Sequence, residues 1–161
     1  MPHSKIYEIL SAIDVYSDGM VEKNYKGIAY IPWAKSWDKL SALGFCPVVE
    51  HSYVIDAEIA GVTVESTLTL TLPDTKERWT IHNSLPVLDG ANKPITKGVT
   101  AHDINNTKQR NLVKCAALFG LGIAVYQKDT PDGDELYKHK QMDSKGLSKD
   151  KLKPGLNPGG L

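Results

Sequence analysis

Apolar and polar positions alternate most cleanly in the middle of the chain. Val62, Val64, Leu68, Leu70 and Leu72 share one parity, and Thr63, Glu65, Thr67, Thr69 and Thr71 share the other. A period of two over this length predicts a strand with one face buried. Val49, Tyr53 and Ile55 share a parity before it, up to a break at Ala60-Gly61. After the turn-forming Pro73-Asp74-Thr75-Lys76, Trp79, Ile81, Leu85 and Val87 resume the alternation, with Arg78, Thr80, His82 and Ser84 opposite. The pattern predicts an antiparallel three-stranded meander with one apolar and one polar face. Such a sheet needs a cover.

Helical spacing flanks this region. Residues 4–16 set Ile6, Ile9, Leu10 and Ile13 on one face. Residues 17–29 read as a loop. Pro32 suits a helix start, where no amide hydrogen is needed. Trp33, Trp37 and Leu40 then share a face that ends near Gly44, and helix 33–43 is expected to help cover the sheet. That spacing assigns Trp33 and Trp37 to the core in preference to base stacking, and Trp79 joins them by alternation. Residues 88–98 hold turn formers. Thr100 followed by Asp103 gives a start like a capping box, and the last helix stops at Gly120-Leu121-Gly122. Residues 123–126 read as a short strand. The class is α+β: a β-β-β-α core, its three-stranded meander packed on a long helix and preceded by helices. The expected division is 1–29 for the N-terminal helix and loop, 30–128 for the core and 129–161 for a flexible tail.

Charge changes the picture through its distribution. The 161 residues carry 19 bases and 19 acids, a net of zero. Residues 50–89 hold seven acids and two bases, whereas residues 92–128 hold six bases and one acid, Asp103. The basic stretch suits a polyanion or the acidic stretch of another copy. On the last helix Asp103, Thr107, Arg110 and Lys114 fall on one face, with Ile104, Leu112, Ala116 and Phe119 on another. Phosphate contact there competes with the plainer reading of a solvated helix face. No apolar run is long enough for a membrane span, and the first residues lack a signal peptide's apolar block. Cys46 and Cys115 make no CxxC pair, and a reducing cytoplasm is the expected setting.

Candidate chemistry is sparse. His51, His82, His102, Asp103 and Cys115 show no metal-ligand spacing. Glu50, Asp56, Glu58 and Glu65 are the carboxylates a metal-dependent nuclease would use, but no lysine follows in the usual short pattern, and a solvated face is the better reading. Gly120-x-Gly122 follows a helix instead of opening one, and no GxxxxGK[ST] occurs, so no ATP site, cofactor or metal is expected. No serine sits in a GxSxG context.

The motifs in order add more. Tyr30-Ile31-Pro32-Trp33-Ala34-Lys35-Ser36-Trp37 comes first, then Leu85-Pro86-Val87-Leu88-Asp89 and Asn92-Lys93-Pro94-Ile95. Asp103-Ile104-Asn105-Asn106, Arg110-Asn111-Leu112-Val113-Lys114-Cys115 and Phe119-Gly120-Leu121-Gly122 follow. Over about residues 28–128 this set resembles the phage single-strand annealing proteins of the Sak type, distant relatives of the eukaryotic Rad fifty-two recombination mediator. The resemblance implies a non-enzymatic, ATP-independent annealer of single-stranded DNA, assembled as rings or filaments. It implies DNA in a positively lined groove between the hairpin region and the long helix, with a single-strand-binding protein or an exonuclease as further partner. Carried over by position, Lys114, Arg110 and Lys93 are its DNA contacts; Lys97, Lys108, Arg78 and Lys35 follow from proximity alone. A metal-dependent nuclease, or an interaction module without nucleic acid, are the alternatives.

Overall fold

The computed structural model describes residues 3–56, 61–89 and 93–127. The expected tail, and Glu58 of the nuclease alternative, lie outside them. Met1–Tyr126 form one compact unit.

The meander is present as β3 (Val48–Asp56), β4 (Gly61–Thr71) and β5 (Arg78–Pro86), antiparallel and in that order; two short strands, β1 (Glu22–Lys23) and β2 (Ala29–Tyr30), precede it. Tyr53 stands opposite Val64, Leu68 opposite Ile81 and Leu70 opposite Trp79. The parity read from the sequence is the observed one. Val64, Leu68 and Leu70 are fully buried, while Glu65 is exposed. Thr71 donates its backbone N–H to the Phe45 carbonyl, which ties the end of β4 to the chain entering β3.

Helix α3 (Ala101–Leu118) covers the inner face. It lies over β4 and β5 and scarcely reaches β3. Tyr53 and Ile55 have inward parity but stay 53% and 71% exposed. Helix α2 (Trp33–Ala42) packs chiefly on α3, with at most slight contact to the sheet, so it contributes less cover than expected. The physical reason is occupancy: α3 already takes the inner face over β4 and β5. Trp33, expected in the core, is 43% exposed at the first turn of α2, just after Pro32. Trp37 and Trp79 are half-buried.

Helix α1 (His3–Ser11) buries Ile6 and Leu10 and leaves Ile9 half out. Within the expected loop 17–29, β1 and β2 form a small antiparallel pair. Two-residue strands carry too little periodicity to be read beforehand. Residues Ile123–Tyr126 form a 3₁₀ turn and not the expected strand. The glycines before it explain the change. Gly120 and Gly122 take φ of 109° and 69°, so the chain turns sharply as α3 ends. A Cβ on Gly120 would stand 3.0 Å from the Tyr7 carbonyl oxygen, and one on Gly122 would stand 2.3 Å from Ile31 Cδ1. The pair serves close packing of α3 against α1 and Ile31.

Candidate nucleic-acid interface

The basic residues of interest depend on how α3 is held. Its start is fixed locally. Thr100 Oγ1 accepts from the Asp103 backbone N–H at 3.2 Å, and the Asp103 carboxylate accepts from the Thr100 N–H at 2.9 Å, a complete capping box. The Thr100 hydroxyl, which donates to Asp103 Oδ2 at 2.6 Å, and then the Thr100 N–H hold the Asp103 carboxyl below its ordinary range. Asp103 is also the acid best placed to favour the helix's positive end.

The middle of α3 is fixed by a buried polar belt. Asn111 is fully buried and faces the sheet. Its Nδ2 donates to the Val64 carbonyl at 3.1 Å and to the Asn83 carbonyl at 2.9 Å, and its Oδ1 accepts from Asn83 Nδ2. Ser66 lies in the same row of the sheet, opposite both His51 and Asn83. His51 Nδ1 and Ser66 Oγ are 2.7 Å apart. Cys115 adds a weak bond from Sγ to the Ser66 carbonyl at 3.8 Å. Burial pushes that thiol up to about 11, so it stays protonated and unreactive. Sequence reasoning passed over Asn111. The signal was available: Asn111 is seven residues after Ile104 and four before Cys115, on the stripe that faces the sheet.

Asn111 fixes where the neighbouring cations point. At about 100° per residue, Arg110 and Lys114 fall about 40° apart on one flank of α3, while Lys108 lies at least about 120° from either. Lys108 acts electrostatically on His51, which places it on the β3 side. Arg110 is exposed and Lys114 half-buried. Arg110 also acts on Tyr126, whose hydroxyl burial pushes up to about 12 although the residue remains 38% exposed. Thr107, expected on the polar face with these cations, is instead buried; its hydroxyl donates back to the Asp103 carbonyl at 2.8 Å. A threonine that satisfies its hydroxyl within its own helix tolerates an inward position.

The other candidates are dispersed. Lys93 and Lys97 are exposed on the segment leading into α3, where Asp89 Oδ1 accepts from the Lys93 backbone N–H at 2.9 Å. Arg78 is exposed at the start of β5, with outer-face parity. Lys35 is engaged with the N-terminal segment, 2.8 Å from Glu22 Oε1 and 2.8 Å from the Gly19 carbonyl. The structure thus groups Arg110 with Lys114, sets Lys108 on another side of α3 and Arg78 on the outer face of the sheet, and engages Lys35 with Glu22. On the outer face, Glu50, Ser52, Glu65, Thr67, His82 and Ser84 line a shallow polar depression of about 470 Å³. Among the described residues, no group of three or more His, Cys, Asp or Glu is placed to hold a metal ion. His51, His82 and His102 each bond to a different neighbour: Ser66, Thr67 and Asn106.

A family model described as Sak Single Strand Annealing Protein matches residues 5–154. The chain belongs to the Sak single-strand annealing family. The match spans every described element from the body of α1 to the 3₁₀ turn, so it covers the fold as a whole and not one motif. Membership assigns the protein to strand annealing, a task of binding and pairing single-stranded DNA. No curated protein and no solved structure matches the chain. Among the described residues, no helix is long and apolar enough to cross a membrane.

Proposed function

We propose that this Sak-family protein binds single-stranded DNA through the Arg110–Lys114 flank of α3, with Lys93 on the segment leading into that helix as a further contact, and anneals complementary strands without ATP as an oligomer in phage recombination. The family match over residues 5–154 carries the reading. The paired cations on one flank of a rigidly held helix support where the strand lies. Each Lys or Arg that meets a phosphate releases condensed counterions, so such a surface binds irrespective of sequence. Contact confined to the backbone suits annealing, because the bases must stay readable by a second strand. Two or three such contacts bind weakly alone. A ring or filament multiplies them along one strand through effective concentration. Lys97, Lys108, Arg78 and Lys35 would contribute longer-range attraction.

Fluorescence anisotropy with a labelled poly-dT oligonucleotide tests the site. Wild-type protein binds with a steep salt dependence and no need of nucleotide. The Arg110→Ala/Lys114→Ala variant keeps its circular dichroism spectrum, loses affinity for every sequence, and loses about 1.4 in the slope of log affinity against log salt per subunit. An unchanged slope in that variant removes the α3 flank as the DNA surface. Cleavage of labelled strand by pure protein with magnesium would return the nuclease reading.

A further inference from the structure

Two exposed apolar patches lie at opposite ends of the fold. The first surrounds the small pair β1–β2: Tyr25 is 88% exposed, Ile28 54%, Tyr30 39% and Trp33 43%. The second wraps the outer end of β3: Tyr53 is 53% exposed, Val54 48% and Ile55 71%. Glycine packing and one ion pair fix the ends. The C-terminal end of α3 meets α1 and Ile31 through Gly120 and Gly122. Lys5 of α1 pairs with Asp74, in the turn between β4 and β5. Ile31 follows β2 directly, so the first patch belongs to this end. Tyr53–Ile55 pair with Val64–Val62, at the start of β4 and so at the other end of the sheet.

Each patch is unusual for a surface. β3 is an edge strand of nine residues with neither lysine nor proline, the features that ordinarily blunt an edge. The α3 helix leaves its inner side uncovered. Isolated exposed apolar residues need no explanation, but contiguous ones mark contact surfaces. The patches also differ in charge. The first carries Lys23 and Lys26, and its one acid, Glu22, is held by Lys35 and Tyr30. The second has exposed Glu65 on the outer face, diagonal to Val54, and exposed Glu50 four residues back along β3 on the same face.

We infer that the two patches are the halves of one head-to-tail contact, the β1–β2 pair of one copy docking on the β3 edge of the next. The inference rests on the oligomeric part of the proposed function and names its interface. Apolar area supplies the attraction, and the lysine-rich and glutamate-rich margins set the partner's orientation. Because the joined surfaces differ, each copy keeps one of each free for the next. Such heterologous contacts build rings or filaments, not closed pairs.

Sedimentation velocity on the full chain, with and without poly-dT, tests it. Wild type sediments as a multimer. Ile28→Asp and Ile55→Asp, each spoiling one patch, sediment as single chains with native circular dichroism. An equimolar mixture of the two gives a species of two chains and nothing larger, since one good contact is left per pair. Should Ile55→Asp lose the native spectrum, Val54→Lys carries the same test. Multimers of unchanged size in both variants, beside a multimeric wild type, overturn the interface while sparing the oligomer. A wild type that stays a single chain even with poly-dT removes the oligomer itself, and the interface with it. Loss of poly-dT binding by Ile55→Asp with unchanged assembly overturns the inference by assigning the β3 edge to DNA.

Discussion

One end of the sheet's inner face is leucine and the row beside it is polar, and the two hold α3 in different ways. Leu68, Leu70 and Leu72 are buried with Phe45 and Phe119 in a core without direction. Apolar burial of this kind is strong but indifferent to small rotations. The neighbouring row, His51, Ser66 and Asn83 under Asn111, buries polar groups that are satisfied in one geometry alone. Burying them contributes less net stability than leucine would. It fixes the rotation and height of α3, and therefore the direction of Arg110 and Lys114. The apolar end makes the domain fold; the polar row decides which flank of the helix the cations occupy.

The largest effect is expected at the apolar end. Leu70→Ala removes a fully buried side chain from β4. It should cost about 2–5 kcal/mol, read as a lower midpoint in urea unfolding. Under conditions where the variant is folded, its affinity for poly-dT should equal wild type's. Reduced affinity in the folded variant would show that the leucines also position the cations.

Asn111→Ala reverses that signature. It strands Asn83 Nδ2 and frees two carbonyls, and should cost about 1–3 kcal/mol. Affinity for poly-dT should fall in the folded protein, with a shallower salt dependence, because α3 is free to rotate and Arg110 and Lys114 no longer meet one strand together. Full affinity in a folded Asn111→Ala variant would leave the polar row a stabilising feature and nothing more.

The same contrast explains what could be read from the chain beforehand. Apolar parity in Val64, Leu68, Leu70 and Leu72 announces a strand and its buried face, and Thr100-x-x-Asp103 announces a helix start, because each is a local regularity. Ser66 and Asn111 break the regularity they sit in. Helical spacing sets Asn111 on the inward stripe, but its partners lie 28 and 47 residues away in sequence, and Cys115, which bonds to Ser66, lies 49 away; no local spacing names such partners. Arg110 and Lys114 were legible as helical neighbours, and the motif order led to the right family. Their rotation away from Lys108 follows from the same spacing; that Lys108 lies toward β3 and that Glu22 engages Lys35 was not legible, since each depends on tertiary contacts. The exposed Trp33 was misread for a related reason: helical spacing shows that residues share a face, not that the face has a partner.

A smaller effect is expected where the helix is held locally. Thr100→Ala removes the capping box and should cost about 1 kcal/mol. The belt still sets rotation further along, so poly-dT affinity should change less than in Asn111→Ala. An equal loss of affinity in both variants would mean that the cap, not the belt, orients the flank.

The smallest effect concerns the margin of the belt. His51 is half-buried on β3, bonded through Nδ1 to Ser66 Oγ. Burial first, and then the nearby Lys108 ammonium, hold its pKa below the ordinary 6.5. The unfolded chain therefore takes up this proton at a higher pH than the folded one. Between those two values the unfolded state binds more protons, so stability is complete above about pH 6.5 and declines as pH falls toward the folded pKa. Below both values the decline from this group ends. The urea midpoint of wild type should fall between pH 7 and pH 5, and that of His51→Gln should fall less. Lys108→Ala should also reduce the fall, since it removes the second cause while leaving burial in place. A His51→Gln variant with wild type's pH dependence would mean that the proton causing the decline binds elsewhere, and that the polar row is insensitive to charge at its β3 end.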